Sequence, residues 1–218
     1  MRRLPRAERA LTMFTGIIEA VGKIADVTAR GGDTRLVVDV GSLPFSDVVL
    51  GESIAVSGVC LTVVEFDGAR FAADVSNETL SRTTLSSFVA GTPVNLERAM
   101  LPTTRFGGHV VAGHVDGVGA VADIQADGRS QRWHFDAPGS LLRYVAEKGS
   151  ICVDGVALTV NAVHAAGFEV NLVPHTIEHT AFAACAVGTS VNLEVDLIAR
   201  YVERLLSTRD SGLGIGDS

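Results

Sequence analysis

The chain repeats itself. Residues 53–64, SIAVSGVCLTVV, recur as SICVDGVALTVN at 150–161, 97 positions further on. At the same offset GTPVNLE (91–97) lies over GTSVNLE (188–194), and FTGIIEAVGKI (14–24) lies over VAGHVDGVGAV (111–121). Phe71 falls on Phe168, Thr79 on Thr176 and Thr83 on Thr180. No gap is needed from Phe14 to Glu97, so one register spans a whole unit. Two units in tandem are a duplication and not a solenoid, which needs three or more. Whatever fold one half adopts, the other adopts as well.

Each unit has a β pattern. Val and Ile are frequent, apolar and polar residues alternate, and Gly or Asp-Gly punctuates the runs. Asp67-Gly68 matches a type I′ hairpin turn, whose two central residues need φ > 0. Helical signals are short: LPFSDVVL (43–50), its counterpart GSLLRYVAEK (139–148), and turns near NETLS and HTIEH. Five or six short strands per unit predict a small closed barrel, because closure removes exposed edges. With 47% hydrophobic and 20% charged residues, the chain can bury two such cores. The second unit is followed by LIARYVERLL, with Ile198, Tyr201, Val202 and Leu205 spaced as one face of an amphipathic helix. That stripe has no counterpart after the first unit and has to be covered by the barrel or by another subunit. Expected boundaries are an extension at 1–12, a first barrel at 13–106, a second at 107–196, the helix at 197–207 and a disordered tail at 208–218.

A net charge of −7 argues against nucleic acid or an anionic membrane surface as partner. No stretch approaches a membrane span, and the basic N-terminus lacks the apolar core of a signal peptide. Cys60, Cys152 and Cys185 are odd in number with no CxxC spacing, which fits reduced thiols in a cytoplasmic protein.

Single residues are ambiguous. The glycines of GGHVVAGHVDGVG (107–119) lack the spacing of a phosphate loop and fit bulges and close strand packing. His109 and His114 are five apart, off one strand face and without a third ligand nearby, so no metal site is expected and a proton-transfer role suits one of them better. Cys60 has the look of a small buried residue more than of a nucleophile. Thr62 and Thr159 occupy matching places and are either ordinary β-branched residues or paired hydroxyls offered to a polar ring. Asp196 suits a helix N-terminus.

Taken together, FTGIIEAVGKI after Met13, SGVCLTVV, GGHVVAGHVDGVG, DGVALTVN and VNLEVD resemble the riboflavin synthase α-subunit family over residues 13 to 206. The resemblance implies an all-β fold of two tandem six-stranded Greek-key barrels plus a C-terminal helix, assembled as a homotrimer. It implies the dismutation of two molecules of 6,7-dimethyl-8-ribityllumazine to riboflavin and 5-amino-6-ribitylaminouracil, with no cofactor and no metal. It leaves open an association with lumazine synthase. Binding segments carried over to the first barrel are Gly16, Ile17 and Ile18, then Cys60, Leu61 and Thr62, then Asp74, Val75, Ser76, Asn77, Glu78 and Thr79. Those of the second barrel are Gly113, His114 and Val115, then Lys148, then Ala157, Leu158 and Thr159, then Asn171, Leu172, Val173, Pro174, His175 and Thr176. Ser53, Cys60, His114 and Asp196 match catalytic or site-shaping positions, and Phe14 matches an aromatic that closes over the site. The resemblance also places the working site between the first barrel of one subunit and the second barrel of its neighbour.

Two departures stand out. Ala157 replaces a serine common among relatives, and His175 stands where some have Glu. The alternative reading is a non-catalytic lumazine- or flavin-binding protein of the antenna type, and a third is a structural barrel without a ligand. Ser53, Cys60, His114 and Asp196 together favour the enzyme, and the matching threonines argue against the third.

Overall fold

The computed structural model describes residues 13–210; the expected extension at 1–12 and positions 211–218 of the expected tail lie outside them. The first half contains β1 (Ala20–Arg30), β2 (Asp33–Asp39), β3 (Ser53–Val56), β4 (Val59–Thr62), β5 (Glu65–Phe66), β6 (Arg70–Val75), α1 (Asn77–Arg82) and β7 (Pro93–Arg98). The second contains β8 (Gly117–Asp127), β9 (Ser130–Asp136), α2 (Gly139–Leu142), β10 (Ser150–Val153), β11 (Val156–Val163), β12 (Gly167–Leu172), α3 (Pro174–Glu178) and β13 (Ser190–Val195). Helix α4 (Leu197–Asp210) follows, so three residues of the expected tail are helical.

The second half is a closed six-stranded barrel in the order β10-β11-β12-β9-β8-β13. The first follows the same path, but its closing strand is broken at Val63–Val64 into β4 and β5. Its sheet therefore has seven strands in the order β4-β3-β7-β1-β2-β6-β5, with consecutive chain segments as its two edges. The Val64 N–H still donates to Ala72 O at 2.9 Å, which continues the ladder across the break. Each half encloses its own core: Leu36, Ile54, Phe71 and Leu96 in the first, and Trp133, Phe135, Phe168 and Phe182 in the second.

One turn is new and two local expectations are corrected. The run 53–64 is two strands folded about Ser57 and Gly58, whose φ values of 44° and 80° are those of a type I′ turn; Asp154 and Gly155 repeat it at 46° and 83°. At 67–70 only Gly68 has positive φ, 90°, as in a type II′ turn. There the Asp67 carboxylate accepts the Ala69 and Arg70 N–H groups instead. Residues 43–50 form turns and no helix: Pro44 has no N–H to give, and Leu43, Phe45 and Val48 are drawn singly into the core. Among the described residues no helix is long and apolar enough to cross a membrane.

Candidate functional site

The halves meet about a pseudo-twofold axis, and bonds across it come in pairs related by the 97-residue offset. Phe14 and Val111 exchange N–H···O bonds of 2.8 and 3.1 Å. The Asn95 amide donates to Asp154 O at 2.8 Å and accepts from the Ala181 N–H at 2.6 Å. Asn192 does the same toward Ser57 O, 2.9 Å, and the Thr84 N–H, 2.8 Å. The two type I′ turns touch back to back; a Cβ on Gly58 would lie 2.7 Å from the Gly155 nitrogen.

A cavity of about 220 Å³ opens beside the axis, lined by Ser57, Thr84, Asp154, Ala181 and Cys185 among others. Asp154 is buried and accepts the Asn192 N–H at 2.7 Å. Burial pushes its carboxyl up to about 7, outweighing that bond, which acts the other way. A carboxyl held above its unfolded value stabilises the fold fully below about pH 4 and loses that contribution as pH rises through about 7. In the first half the Ser57 hydroxyl fills the same place and accepts the Asn95 N–H at 3.3 Å. Asp154→Ser is therefore expected to be more stable than the parent at pH 8 by on the order of 2 kcal/mol. Its melting profile should be flatter between pH 4 and 7. Thermal melts at stepped pH check this; an unchanged slope would place the titration elsewhere.

The segments leading into each half cross over. Residues 14–18 leave the first barrel and pack on the second, where the Ala157 N–H donates to Gly16 O at 2.8 Å. Residues 111–115 pack on the first, where the Cys60 N–H donates to Gly113 O at 2.9 Å. The expected grouping is thereby exchanged: Gly16, Ile17 and Ile18 lie beside Ala157, and Gly113, His114 and Val115 lie beside Cys60. The approach requires glycine, since a Cβ on Gly16 would sit 2.6 Å from the Ala157 Cβ, and one on Gly113 2.6 Å from the Cys60 Cβ.

Two buried carboxylates pin these segments, and sequence reasoning did not single out either for that role. Glu97 accepts the Thr15 and Gly16 N–H groups at 2.6 and 2.9 Å and the Thr15 hydroxyl at 2.7 Å. Glu194 accepts the Ala112 and Gly113 N–H groups at 2.7 and 3.0 Å. Burial raises both carboxyls, Glu194 to about 7, while the backbone donors work against it. The available signal was the acid ending VNLE in both copies of the strand.

In the first half a pocket of about 170 Å³ collects Cys60, Glu78, Thr79, Arg82, His114 and Val115. The His114 side chain is exposed at its mouth. Burial pushes the Cys60 thiol up, and a hydrogen bond from the Ser53 side chain offsets part of this. The sulfur is thus a protonated thiol at neutral pH and no ready nucleophile. Glu78 is ion-paired with Arg82 one helical turn on. Thr62 is exposed on β4 opposite Ser53.

Other expected residues are occupied elsewhere. Leu61, Val75 and Leu172 belong to the barrel cores and have only main-chain groups to offer. Asp74 is held bidentately by Arg35 at 2.7 and 2.9 Å. Ser76 caps α1 through the Thr79 N–H, and the Asn77 amide donates to Gly32 O. Phe14 is fully buried between the halves with Ala55, Val111 and Cys152, so it acts as a prop under the crossing segments and not as an exposed cover. The Asp196 carboxylate accepts the Ile198 N–H at 2.8 Å, capping α4, and is not among the residues lining the first pocket.

The equivalent surface of the second half carries different chemistry. Ala157 replaces Cys60 and Ile17 replaces His114. His175 and His179, stacked with ring centroids 4.0 Å apart, replace Glu78 and Arg82. Leu158 and Thr176 are partly exposed; Thr159, Val173 and Lys148 are exposed, the last in a left-handed conformation with φ 64°. Pro174 opens α3. The Asn171 amide donates to Asp127 at 2.8 Å.

The lumazine binding domain family matches the chain twice, at residues 15–99 and 112–196. The riboflavin synthase of Photobacterium phosphoreum is 51% identical over 194 residues, 89% of each chain. That of Mycobacterium tuberculosis is 48% identical over 202 residues, covering 89% of this chain and 98% of the other. That of Bacillus subtilis is 41% identical over 194 residues, covering 89% and 90%. Among solved structures, LumP complexed with 6,7-dimethyl-8-(1'-D-ribityl) lumazine superposes with a TM-score of 0.75 at 22% identity, covering 84% of this chain and 98% of that one. At that identity the likeness speaks for the fold alone.

Proposed function

The chain belongs to the riboflavin synthase family, and on that premise we propose that its two halves bind two molecules of 6,7-dimethyl-8-ribityllumazine and pass a four-carbon unit from one to the other. The products are riboflavin and 5-amino-6-ribitylaminouracil. The observation that carries the site assignment is the first-half pocket, where Cys60, Thr79 and His114 converge although His114 comes from the far side of the duplication. A reaction between two copies of one compound needs two similar cradles with unequal chemistry. The pairs Cys60/Ala157, His114/Ile17 and Glu78/His175 supply the inequality.

Main-chain groups of the strand at 60–62 and of the crossing segment at 113–115 suit the donor and acceptor edge of the pyrimidinedione. Thr62 and Thr79 suit ribityl hydroxyls, with Thr159 and Thr176 in the other half. The reaction removes a proton from the C7 methyl of one lumazine and adds a nucleophile at C7 of the other. The ring system delocalises the resulting anion, so the protein's tasks are positioning and modest proton transfer. His114, exposed at the pocket mouth, is assigned the proton; Cys60 is a neutral contact. The proposed assembly is a homotrimer, with the first-half pocket of one subunit facing the second half of the next.

Incubation of the pure protein with 6,7-dimethyl-8-ribityllumazine should produce riboflavin absorbance. Binding without turnover would instead favour an antenna-type ligand carrier, and no binding a structural role.

If the hydroxyl missing at Ala157 weakens the second-half site, Ala157→Ser should tighten lumazine binding there by about 0.5–1.5 kcal/mol in a fluorescence titration. Unchanged or weaker affinity would mean that Thr159 or a water already serves that ligand group.

A further inference from the structure

On the second barrel, outside both lumazine surfaces just described, two imidazoles and a carboxylate come together. His134 lies on β9, His164 in the turn after β11, and Glu169 on β12 directly opposite His134 in the strand register. All three point away from a core filled by Trp133, Phe135, Phe168 and Val170. The His164 N–H donates to Gly167 O at 2.8 Å, which fixes the turn, and the two imidazole rings are stacked with centroids 5.2 Å apart.

We propose that His134, His164 and Glu169 form a binding site for a borderline divalent metal ion, zinc by preference, with water as the fourth ligand. One ligand atom from each residue lies within 4.8 Å of the other two. His164 Nε2 is 3.0 Å and His134 Nδ1 3.9 Å from Glu169 Oε1. Tetrahedral zinc with bonds of 2.0–2.1 Å holds its donors about 3.3 Å apart, so small side-chain rotations close the set. The other nitrogen of His134, Nε2, faces Asp136 Oδ1 at 3.8 Å. A carboxylate behind a ligating imidazole is the usual arrangement that orients it. The His134 and Glu169 side chains are 25% exposed and His164 44%, so an ion can enter while the barrel frame stays rigid. Two nitrogen donors favour zinc over magnesium or calcium, which take oxygen. The matching first-half positions are Val37, Asp67 and Ala72, without an imidazole, so the cluster is no part of the duplicated design. A bound ion would clip β9 to the β11–β12 hairpin and stabilise the second barrel.

The test is isothermal titration of the full, chelator-stripped chain with zinc chloride, alongside thermal melts. The expected result is one zinc per chain and a melting point raised by about 5 °C at a hundredfold excess over Kd. His164→Ala and Glu169→Gln should each weaken zinc binding by at least about tenfold while melting like the parent in the absence of metal. Magnesium should give no heat. A double His175→Ala/His179→Ala variant should bind zinc as the parent does. If His164→Ala and Glu169→Gln bind zinc as tightly as the parent, or binding disappears only in the His175/His179 variant, the site is wrong.

Discussion

Alanine at position 114 should slow riboflavin formation by about 10- to 1000-fold, the range that one acid–base or positioning contact supplies. The imidazole stands exposed at the mouth of the first-half pocket, beside Cys60 and Thr79. Its segment is held in place, because the Glu194 carboxylate accepts the two preceding N–H groups and Gly113 O is paired with the Cys60 N–H. The second half has Ile17 at the matching place, which cannot move a proton. Because the ring supports no core, the variant should melt like the parent. Lumazine binding should change far less than turnover, since a proton-transfer group acts mainly in the transition state. Single-turnover absorbance and fluorescence titration separate the two. Near-parental turnover would remove His114 from the mechanism.

A chain ending at Asp196 should become largely monomeric, still bind lumazine, and form riboflavin more than about 100-fold more slowly. Helix α4 docks through its polar side: Arg200 pairs with Asp116, and Glu203 pairs with Arg143 and accepts the Tyr144 hydroxyl. Its apolar side is left bare, with Ile198 at 67%, Tyr201 at 65% and Leu205 at 63% exposure, and Val202 and Leu206 alongside. Among the described residues the barrel does not cover the stripe, which suits the proposed contact with neighbouring subunits. Truncation also removes the polar anchors, so Tyr201→Asp/Leu205→Asp is the companion variant: it keeps the anchors and spoils only the stripe. Light scattering reports mass, and absorbance reports product. A monomer of either kind with full activity would mean that one chain holds a complete site, and the inter-subunit mechanism would fall.

The duplication was legible because its register runs without a gap, and it led directly to two like barrels and to corresponding residues. It did not tell which half each segment touches. Gly16 and Gly113 were assigned to their own halves, whereas the bonds from Ala157 and Cys60 place them on the opposite ones. An offset along the chain records equivalence, and contact across a twofold axis leaves no period. At 53–64 a β-rich run is folded into two strands by the left-handed φ of Ser57 and Gly58. Cys60, Thr79 and His114 were singled out from sequence and the structure brings them together, while Leu61, Val75 and Leu172 were drawn in by neighbouring positions and turn out to be core. The apolar stripe of α4 was plain from spacing alone, but not that it turns away from the barrel. The partly buried cluster on β9 and β12 was not, because its members lie 30 and 35 residues from His134 in the sequence.

The exchanged amides of Asn95 and Asn192 have the form of an interface between two identical molecules, in which each copy gives the other what it receives. Joined in one chain, the partners no longer have to find each other, because tethering holds them at an effective concentration of roughly millimolar or above. More consequentially, fusion ends an enforced equality. In a pair of separate copies, any change to one cradle appears at once in the other, so a giver and a taker could never diverge. Within a single gene, cysteine can face alanine across the axis, histidine can face isoleucine, and an acid–base helix can face a pair of imidazoles. The bonds that keep the old symmetry are thus the backbone on which the asymmetry of the chemistry was free to arise.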